Sequence, residues 1–121
     1  MKVLIVDDSS IIRSRITRLM NHPRMPQINV AGLAKDGAEA LGIFVQSKPE
    51  IVTMDLTMPV MGGAECIEAM VKINPEVNIL VVSALSDKAT AISALKKGAR
   101  GFLYKPFTDE QLMEALIELV S

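Results

Sequence analysis

The sequence predicts an α/β fold built on one parallel sheet, in which five strands alternate with five helices. Four short apolar runs, at 3–6, 51–54, 79–82 and 102–104, show no alternation of polar and apolar residues. Such runs are typical of strands that are buried on both faces. A weaker fifth run lies at 28–31. Segments with helical spacing follow the runs, and this order favours parallel strands joined by right-handed crossovers.

Each helix is predicted from apolar residues that recur every three or four positions. The inward-facing residues are, in chain order, Ile12, Ile16, Leu19 and Met20; Ala40, Leu41 and Phe44; Cys66, Ile67, Met70 and Val71; Ile92 and Leu95; and Leu112, Leu116, Leu119 and Val120. Pro75 ends the third helix, and Gly98 is a C-cap of the fourth. Thr108 and Gln111 form a capping-box pattern at the start of the fifth.

Length and composition indicate one domain over 1–121. A chain of 121 residues has room for one domain of ordinary size. The net charge of -1 gives no electrostatic basis for direct nucleic-acid binding. Cys66 is the only cysteine, which excludes an intrachain disulfide and favours a reducing compartment. Neither a membrane span nor a secretory leader is visible, so we expect a cytoplasmic protein without membrane insertion.

Polar residues stand just after the predicted strands, at the edge of the sheet where open parallel sheets bind their ligands. Asp7 and Asp8 follow the first strand, Asp55 ends the third, Ser83 follows the fourth and Lys105 the fifth. Ligands bind beyond the carboxyl ends of such strands, where the strand order reverses. If the order is 2-1-3-4-5, the first and third strands are neighbours and the three carboxylates share one cleft.

These residue types indicate phosphoryl chemistry. Three close carboxylates cannot all stay ionised without compensation, and oxygen ligands without Cys or His favour a hard cation such as Mg²⁺. Lys105 adds a fixed positive charge and Ser83 a hydroxyl donor. A carboxylate in this setting can attack a phosphoryl donor and form an aspartyl phosphate.

Four motifs resemble the receiver domains of bacterial two-component systems, above all the stand-alone chemotaxis-type regulators. They are VDDS at 6–9, MDLTMP at 54–59, VVSA at 81–84 and YKPF at 104–107. The similarity spans the whole chain. It implies a single flavodoxin-like, doubly wound (βα)5 domain with sheet order 2-1-3-4-5, which acts as a phosphorylation-dependent signalling switch.

The resemblance also implies roles for the acidic residues. Asp55 matches the phosphoacceptor. Asp8 and Asp55 match carboxylates that hold Mg²⁺, and the backbone carbonyl of Thr57 matches the third protein ligand. Asp7 matches the acid that reaches the metal largely through water.

The remaining motif residues match the part of the switch that responds to phosphorylation. Ser83 matches the hydroxyl residue that moves to bond the phosphoryl group, and Tyr104 matches the aromatic whose ring then turns inward. Lys105 matches the lysine of the family pattern, and its bond to Pro106 matches one that is usually cis.

Partners follow from the same resemblance. The donor is a histidine kinase or phosphotransfer protein, and the target binds the face made by the fourth helix, fifth strand and fifth helix, in chemotaxis or another relay. We expect a monomer or weak dimer, in which Ala89, Ala91 and Ala94 leave a smooth surface on the fourth helix. Self-catalysed phosphorylation and hydrolysis are the only reactions expected, so the chain is interpreted as a signalling protein and not as an enzyme.

Three alternatives stay open at this stage. A phosphohydrolase of the haloacid-dehalogenase type is weakened because Thr57 stands where that chemistry needs a second Asp. A receiver-like scaffold that takes no phosphate is weakened because the acids and the lysine are all present. A DNA-binding or enzymatic output domain after Ser121 is compatible with the sequence.

Several other residues are expected to have structural roles and no direct part in the phosphoryl chemistry. Ser9 is expected to cap the first helix, and Cys66 to be a core residue. The arginines of the first helix are interpreted as a solvated face that could also dock an acidic partner. Gly62 predicts a poor cap for the third helix. Leu85 predicts moderate to slow self-dephosphorylation, because its side chain offers no polar help to an attacking water.

Overall fold

Five strands and five helices alternate along the chain in the computed structural model, which describes residues 1–56, 58, 61–84 and 88–121. The strands are β1 (Lys2–Val6), β2 (Asn29–Ala34), β3 (Ile51–Asp55), β4 (Asn78–Ala84) and β5 (Gly101–Lys105). The helices are α1 (Ser10–Leu19), α2 (Gly37–Ser47), α3 (Gly63–Ile73), α4 (Lys88–Lys96) and α5 (Asp109–Leu119). In that part of the chain, no helix is long and apolar enough to cross a membrane.

The sheet has the order β2-β1-β3-β4-β5, and the strand pairs are parallel. This confirms the predicted doubly wound α/β fold. Strand register aligns the carboxyl ends, because Val6 pairs with Met54, Asp55 with Val82 and Ala84 with Lys105. The polar residues that follow these strands are therefore brought to one edge of the sheet.

Two hydrophobic clusters cover the two faces of the sheet. Side chains of α1 and α5, among them Ile16 and Leu112, pack on one face. Side chains of α2, α3 and α4, among them Phe44 and Met70, pack on the other. Because both faces are covered, successive residues of β1, β3 and β4 are buried, which explains why their sequences do not alternate.

The edge strand β5 and the helix α4 differ from the sequence predictions. Phe102 is 40% exposed because β5 is an edge strand of the sheet in the described part of the chain and is covered less than the central strands. In α4, Ile92 is 47% exposed, whereas Ala91 and Ala94 are buried. The predicted inward position of Ile92 is wrong, and so is the placement of these two alanines on an outer surface. The small residues form the inner face of α4.

Helix termini follow the predicted chemistry closely. The hydroxyl of Ser9 accepts a hydrogen bond from the backbone N–H of Ile12, and Thr108 with Gln111 forms a complete capping box. Gly62 gives α3 no side-chain cap. Gly98 follows α4 with a φ of 120°, a left-handed conformation that favours glycine.

Candidate functional site

Three carboxylates lie together at the carboxyl edge of the sheet. Asp7 and Asp8 follow β1, and Asp55 is the last residue of β3, the neighbouring strand. One oxygen from each residue lies within 4.8 Å of the others. Asp7 and Asp55 are buried, whereas Asp8 is exposed. The predicted acidic cleft is therefore present, with one side open to solvent.

Backbone and side-chain hydrogen bonds fix Asp7 in place. Its N–H donates to the carbonyl of Ala34 in β2 at 3.0 Å. Its Oδ1 accepts a hydrogen bond of 2.9 Å from the N–H of Ser9, and its carbonyl accepts one of 2.6 Å from Nη1 of Arg13. Asp7 is therefore anchored to β2 and to the start of α1, which leaves Oδ2 directed into the cleft.

Lys105 supplies the positive charge of the site. Its Nζ lies 2.9 Å from Oδ2 of Asp7 and 3.7 Å from Oδ1 of Asp55. Burial acts to lower the pKa of the Lys105 ammonium, but its hydrogen bond to Asp7 and the attraction of Asp55, Asp7 and Asp8 outweigh burial and raise this pKa. Lys105 is therefore a fixed cation at neutral pH that offsets part of the carboxylate charge.

The donor set fits a divalent cation. The cluster offers carboxylate oxygens from Asp7, Asp8 and Asp55, which are hard ligands of the kind that Mg²⁺ prefers. Among the described residues, Oδ2 of Asp7 is buried and its one contact is the Lys105 ammonium. A buried carboxylate oxygen with one cationic neighbour keeps lone pairs for a metal or its water. The predicted carbonyl ligand of Thr57 lies outside the described residues, as does Leu85.

Ser83 and Tyr104 occupy neighbouring strands beside this cluster. Ser83 is buried near the end of β4, and it pairs in register with Tyr104 of β5. Its hydroxyl donates to the carbonyl of Ala84 at 3.3 Å. The Tyr104 ring packs edge-to-face on Phe102, with ring centroids 5.1 Å apart. The bond between Lys105 and Pro106 is cis, as the sequence resemblance implied.

Two contributions to the site were not predicted from the sequence. A side chain at Gly63 would collide with the carbonyl oxygen of Asp55, so this glycine lets α3 begin directly against the end of β3. Arg15 was interpreted as part of a solvated arginine face, but it is bonded to the segment that follows Lys105. The spacing of Arg15 within α1 gave no signal of this contact, because its partners are more than 90 residues away in sequence.

Comparison with known proteins gives a consistent result. Residues 3–117 match the response regulator receiver domain family. The chain is 41% identical over 115 residues to the chemotaxis protein CheY of Thermotoga maritima, covering 95% of this chain and 93% of that protein. It is 34% identical to a protein-glutamate methylesterase/protein-glutamine glutaminase of the same organism, covering 98% of this chain but 36% of that protein.

Solved structures show the same architecture. The CheX–CheY–BeF3–Mg complex of Borrelia burgdorferi contains a chain that is 28% identical, with a TM-score of 0.91, and the match covers 100% of this chain and 90% of that one. The chemotaxis protein CheY4 of Vibrio cholerae is 30% identical, with a TM-score of 0.86, and the match covers 98% and 97% of the two chains.

Proposed function

The chain belongs to the response regulator receiver domain family, and on that basis we propose that Asp55 accepts a phosphoryl group from a histidine kinase or phosphotransfer protein. The observation that carries this proposal is the position of the Lys105 ammonium between Asp7 and Asp55, within a cluster of three carboxylates. Receiver domains of this type are signalling switches and not classical enzymes. The chain then changes its own phosphorylation state and turns over no separate metabolite.

The reaction needs a nucleophile, an open approach and positive charge. A carboxylate oxygen of Asp55 attacks the phosphorus, and the new O–P bond forms as the bond from phosphorus to the donor breaks. The bonding electron pair leaves with the donor group, such as the imidazole nitrogen of a phosphohistidine. Lys105 lies close enough to Asp55 to offset negative charge on the transferred oxygens.

A bound Mg²⁺ would supply further positive charge at the phosphoryl oxygens. Asp8 and Asp55 would hold it directly, together with the carbonyl of Thr57, and Asp7 would act largely through water. The exposed Asp8 offers the open side from which a hydrated ion can enter. The Asp7 carboxylate already accepts a backbone hydrogen bond and contacts the Lys105 ammonium, which supports a contact with the metal through water.

The output follows from the pairing of Ser83 with Tyr104. On phosphorylation, the Ser83 hydroxyl exchanges its contact with the Ala84 carbonyl for one with the phosphoryl group. The Tyr104 ring then turns inward, away from Phe102, and alters the face formed by α4, β5 and α5. A downstream target binds this face. Similarity to the chemotaxis proteins supports a role in chemotaxis and a cytoplasmic location.

A receiver domain joined to an output domain in a longer chain is a second arrangement with its own support. The match to the methylesterase of Thermotoga maritima covers only 36% of that protein, so similar sequences also occur as one part of longer chains. Fusion to an output domain would change the target of the switch and leave the phosphoryl chemistry as described.

Incubation with acetyl phosphate followed by intact mass measurement tests the proposed function. We expect the wild type to gain one phosphoryl group when Mg²⁺ is present and none when it is chelated. Asp55→Asn keeps the size of the side chain and removes the nucleophile, so it should gain none in either condition. A folded wild type that stays unmodified with both acetyl phosphate and a donor kinase would instead support the scaffold alternative.

A further inference from the structure

We infer that Arg15 is a positioning residue for Lys105, an inference that rests on the proposed phosphoryl-transfer function. Arg15 lies in the middle of α1, and among the described residues its contacts include neither the three carboxylates nor Lys105. Arg15 instead binds Phe107 and Asp109, which lie two and four residues after Lys105. These contacts fix the position of the end of the strand that carries Lys105.

Three contacts join Arg15 to this segment. Nη2 donates a hydrogen bond of 2.7 Å to the carbonyl of Phe107, and Nε donates one of 2.9 Å to Oδ1 of Asp109. The guanidinium carbon also lies 4.5 Å from the centroid of the Phe107 ring. A planar guanidinium can make these bonds and stack on a ring at the same time, whereas a lysine cannot.

The reach required of Lys105 explains why its segment needs this support. β5 is an edge strand, and β4 and β3 separate it from β1. At about 4.8 Å between strands, three intervals place β1 about 14 Å from β5. The Lys105 side chain nevertheless brings Nζ within 2.9 Å of Asp7. A small displacement of the strand end would therefore move the ammonium away from both acids.

The helix that carries Arg15 is also fixed to the acidic residues. α1 begins two residues after Asp8, its cap Ser9 donates to Asp7, and Arg13 bonds the Asp7 carbonyl. Arg15 therefore connects the acidic end of the site to the segment that follows Lys105. This connection is a second link, in addition to the sheet, between the segment that carries the ammonium and the carboxylates.

Neighbouring arginines provide a matched control. Arg18 is 69% exposed and reaches the same Asp109 carboxylate at 3.6 Å, and among the described residues no contact joins it to Phe107. Arg24 is 48% exposed and pairs with Glu110 on the surface. Arg15 is 29% exposed and, in the described part of the chain, is the arginine of α1 with contacts to both Phe107 and Asp109.

A double-mutant cycle tests the inference with the rate of phosphorylation by acetyl phosphate. We expect Arg15→Ala to slow the reaction about tenfold, which is less than the roughly hundredfold that a misplacement of about 1 Å at a reacting group can cost. Arg18→Ala should leave the rate within about twofold of the wild type, as expected for an exposed pair. In a Lys105→Met background, Arg15→Ala should cause no further slowing, because the residue through which Arg15 acts is gone.

Equal slowing by Arg15→Ala in both backgrounds would overturn the inference, since Arg15 would then act on something other than Lys105. Arg15→Met keeps an apolar cover over Phe107 while losing both hydrogen bonds. If Arg15→Ala does not fold, Arg15→Met replaces it in the cycle. Slowing in the wild-type background alone would then support the inference, and equal slowing in both backgrounds would overturn it.

An NMR measurement separates this inference from the proposed function. With ¹³C-labelled lysine, the ε-methylene signal of Lys105 reports the order of its side chain without any phosphoryl donor. We expect Arg15→Ala to shift this signal and increase its mobility, and Arg18→Ala to leave it unchanged. An unchanged Lys105 signal in Arg15→Ala would overturn the inference even if the wild type is phosphorylated. A wild type that takes no phosphoryl group would refute the proposed function, while the NMR result would still decide the role of Arg15.

Discussion

The Nζ atom of Lys105 lies 2.9 Å from Oδ2 of Asp7, although two strands separate β5 from β1 in the sheet. A lysine at the edge of the sheet thus neutralises an acid near its centre. The same ammonium lies 3.7 Å from Asp55. Lys105 therefore offsets the charge of two carboxylates at once. We expect its removal to have opposite effects on metal binding and on phosphoryl transfer.

Replacement of Lys105 by Met should tighten Mg²⁺ binding and slow phosphorylation. Loss of the ammonium removes repulsion toward the metal and leaves the three carboxylates more strongly negative, so we expect the Mg²⁺ affinity to rise by about threefold or more. The same change removes charge that stabilises the transferred phosphoryl group. Calorimetric titration with Mg²⁺ gives the first quantity and acetyl phosphate kinetics the second. Weaker Mg²⁺ binding would mean that Lys105 chiefly arranges the carboxylates.

Replacement of Thr53 by Val should stabilise the protein. Thr53 is 1% exposed, and among the described residues its hydroxyl has no hydrogen-bond partner. Valine has the same shape without the unsatisfied oxygen, so we expect the free energy of unfolding to rise by about 1 kcal/mol in urea denaturation. Thr17→Val is the matched control, because the Thr17 hydroxyl donates to the Arg13 carbonyl at 2.8 Å and its loss should bring no gain. A Thr53→Val protein less stable than the wild type would show that the hydroxyl is bonded in solution.

Replacement of Gly63 by Ala should destabilise the protein and slow phosphorylation. The added Cβ would meet the Asp55 carbonyl oxygen and lie 2.7 Å from the Leu56 Cα, both of which are backbone atoms. We expect a loss of about 1–3 kcal/mol in the free energy of unfolding, as for other overpacked sites. A Cβ added at Gly42, within α2, would meet no atom within 4 Å, so Gly42→Ala should stabilise the protein by about 0.5–1 kcal/mol. Equal effects of the two substitutions would contradict the close approach at Gly63.

Cys66 should make the stability of the protein fall at alkaline pH. Burial, and then the Asp36 carboxylate, raise the pKa of the Cys66 thiol from 9.0 to about 11. Below about pH 9 the thiol is protonated in both the folded and the unfolded protein, so its ionisation does not change the free energy of unfolding. Between about pH 9 and 11 the unfolded chain releases a proton that the folded chain retains, so the free energy of unfolding decreases. Urea denaturation at several pH values measures this slope.

Cys66→Ala is the control for this pH dependence. The variant should be less stable than the wild type at neutral pH, because a buried side chain has been shortened. Its stability should nevertheless fall less steeply between pH 9 and 11 than that of the wild type, since Lys105 and the other groups are common to both. Parallel curves would show that the thiol titrates normally in the folded protein.

The strands and the site residues could be predicted from the sequence because both follow local rules. Continuous apolar runs identified the buried strands, and the residue after each run identified Asp7, Asp55 and Lys105, which the aligned strand register brings together. The face of α4 could not be predicted in this way. Its pattern gave the larger Ile92 the inner position, but close packing against the sheet selected the small Ala91 and Ala94.

Contacts between segments that are distant in the sequence could not be predicted either. Arg15 has the spacing of a solvated residue, and only the folded chain places it beside Phe107 and Asp109. The sequence predicts a weak cap for α3 and gives no separate role to Gly63. Its close approach to the Asp55 carbonyl depends on how α3 meets β3, which no local pattern records.

The most direct test of the central claim is to locate the phosphoryl group by chemical trapping. After incubation with acetyl phosphate and Mg²⁺, borohydride reduces an aspartyl phosphate to the corresponding alcohol, and peptide mass mapping identifies the modified residue. We expect reduction at Asp55 alone, with Asp7 and Asp8 unchanged. Reduction at Asp7 or Asp8, or trapping at another site in Asp55→Asn as readily as in the wild type, would contradict the assignment of Asp55 as the phosphoacceptor.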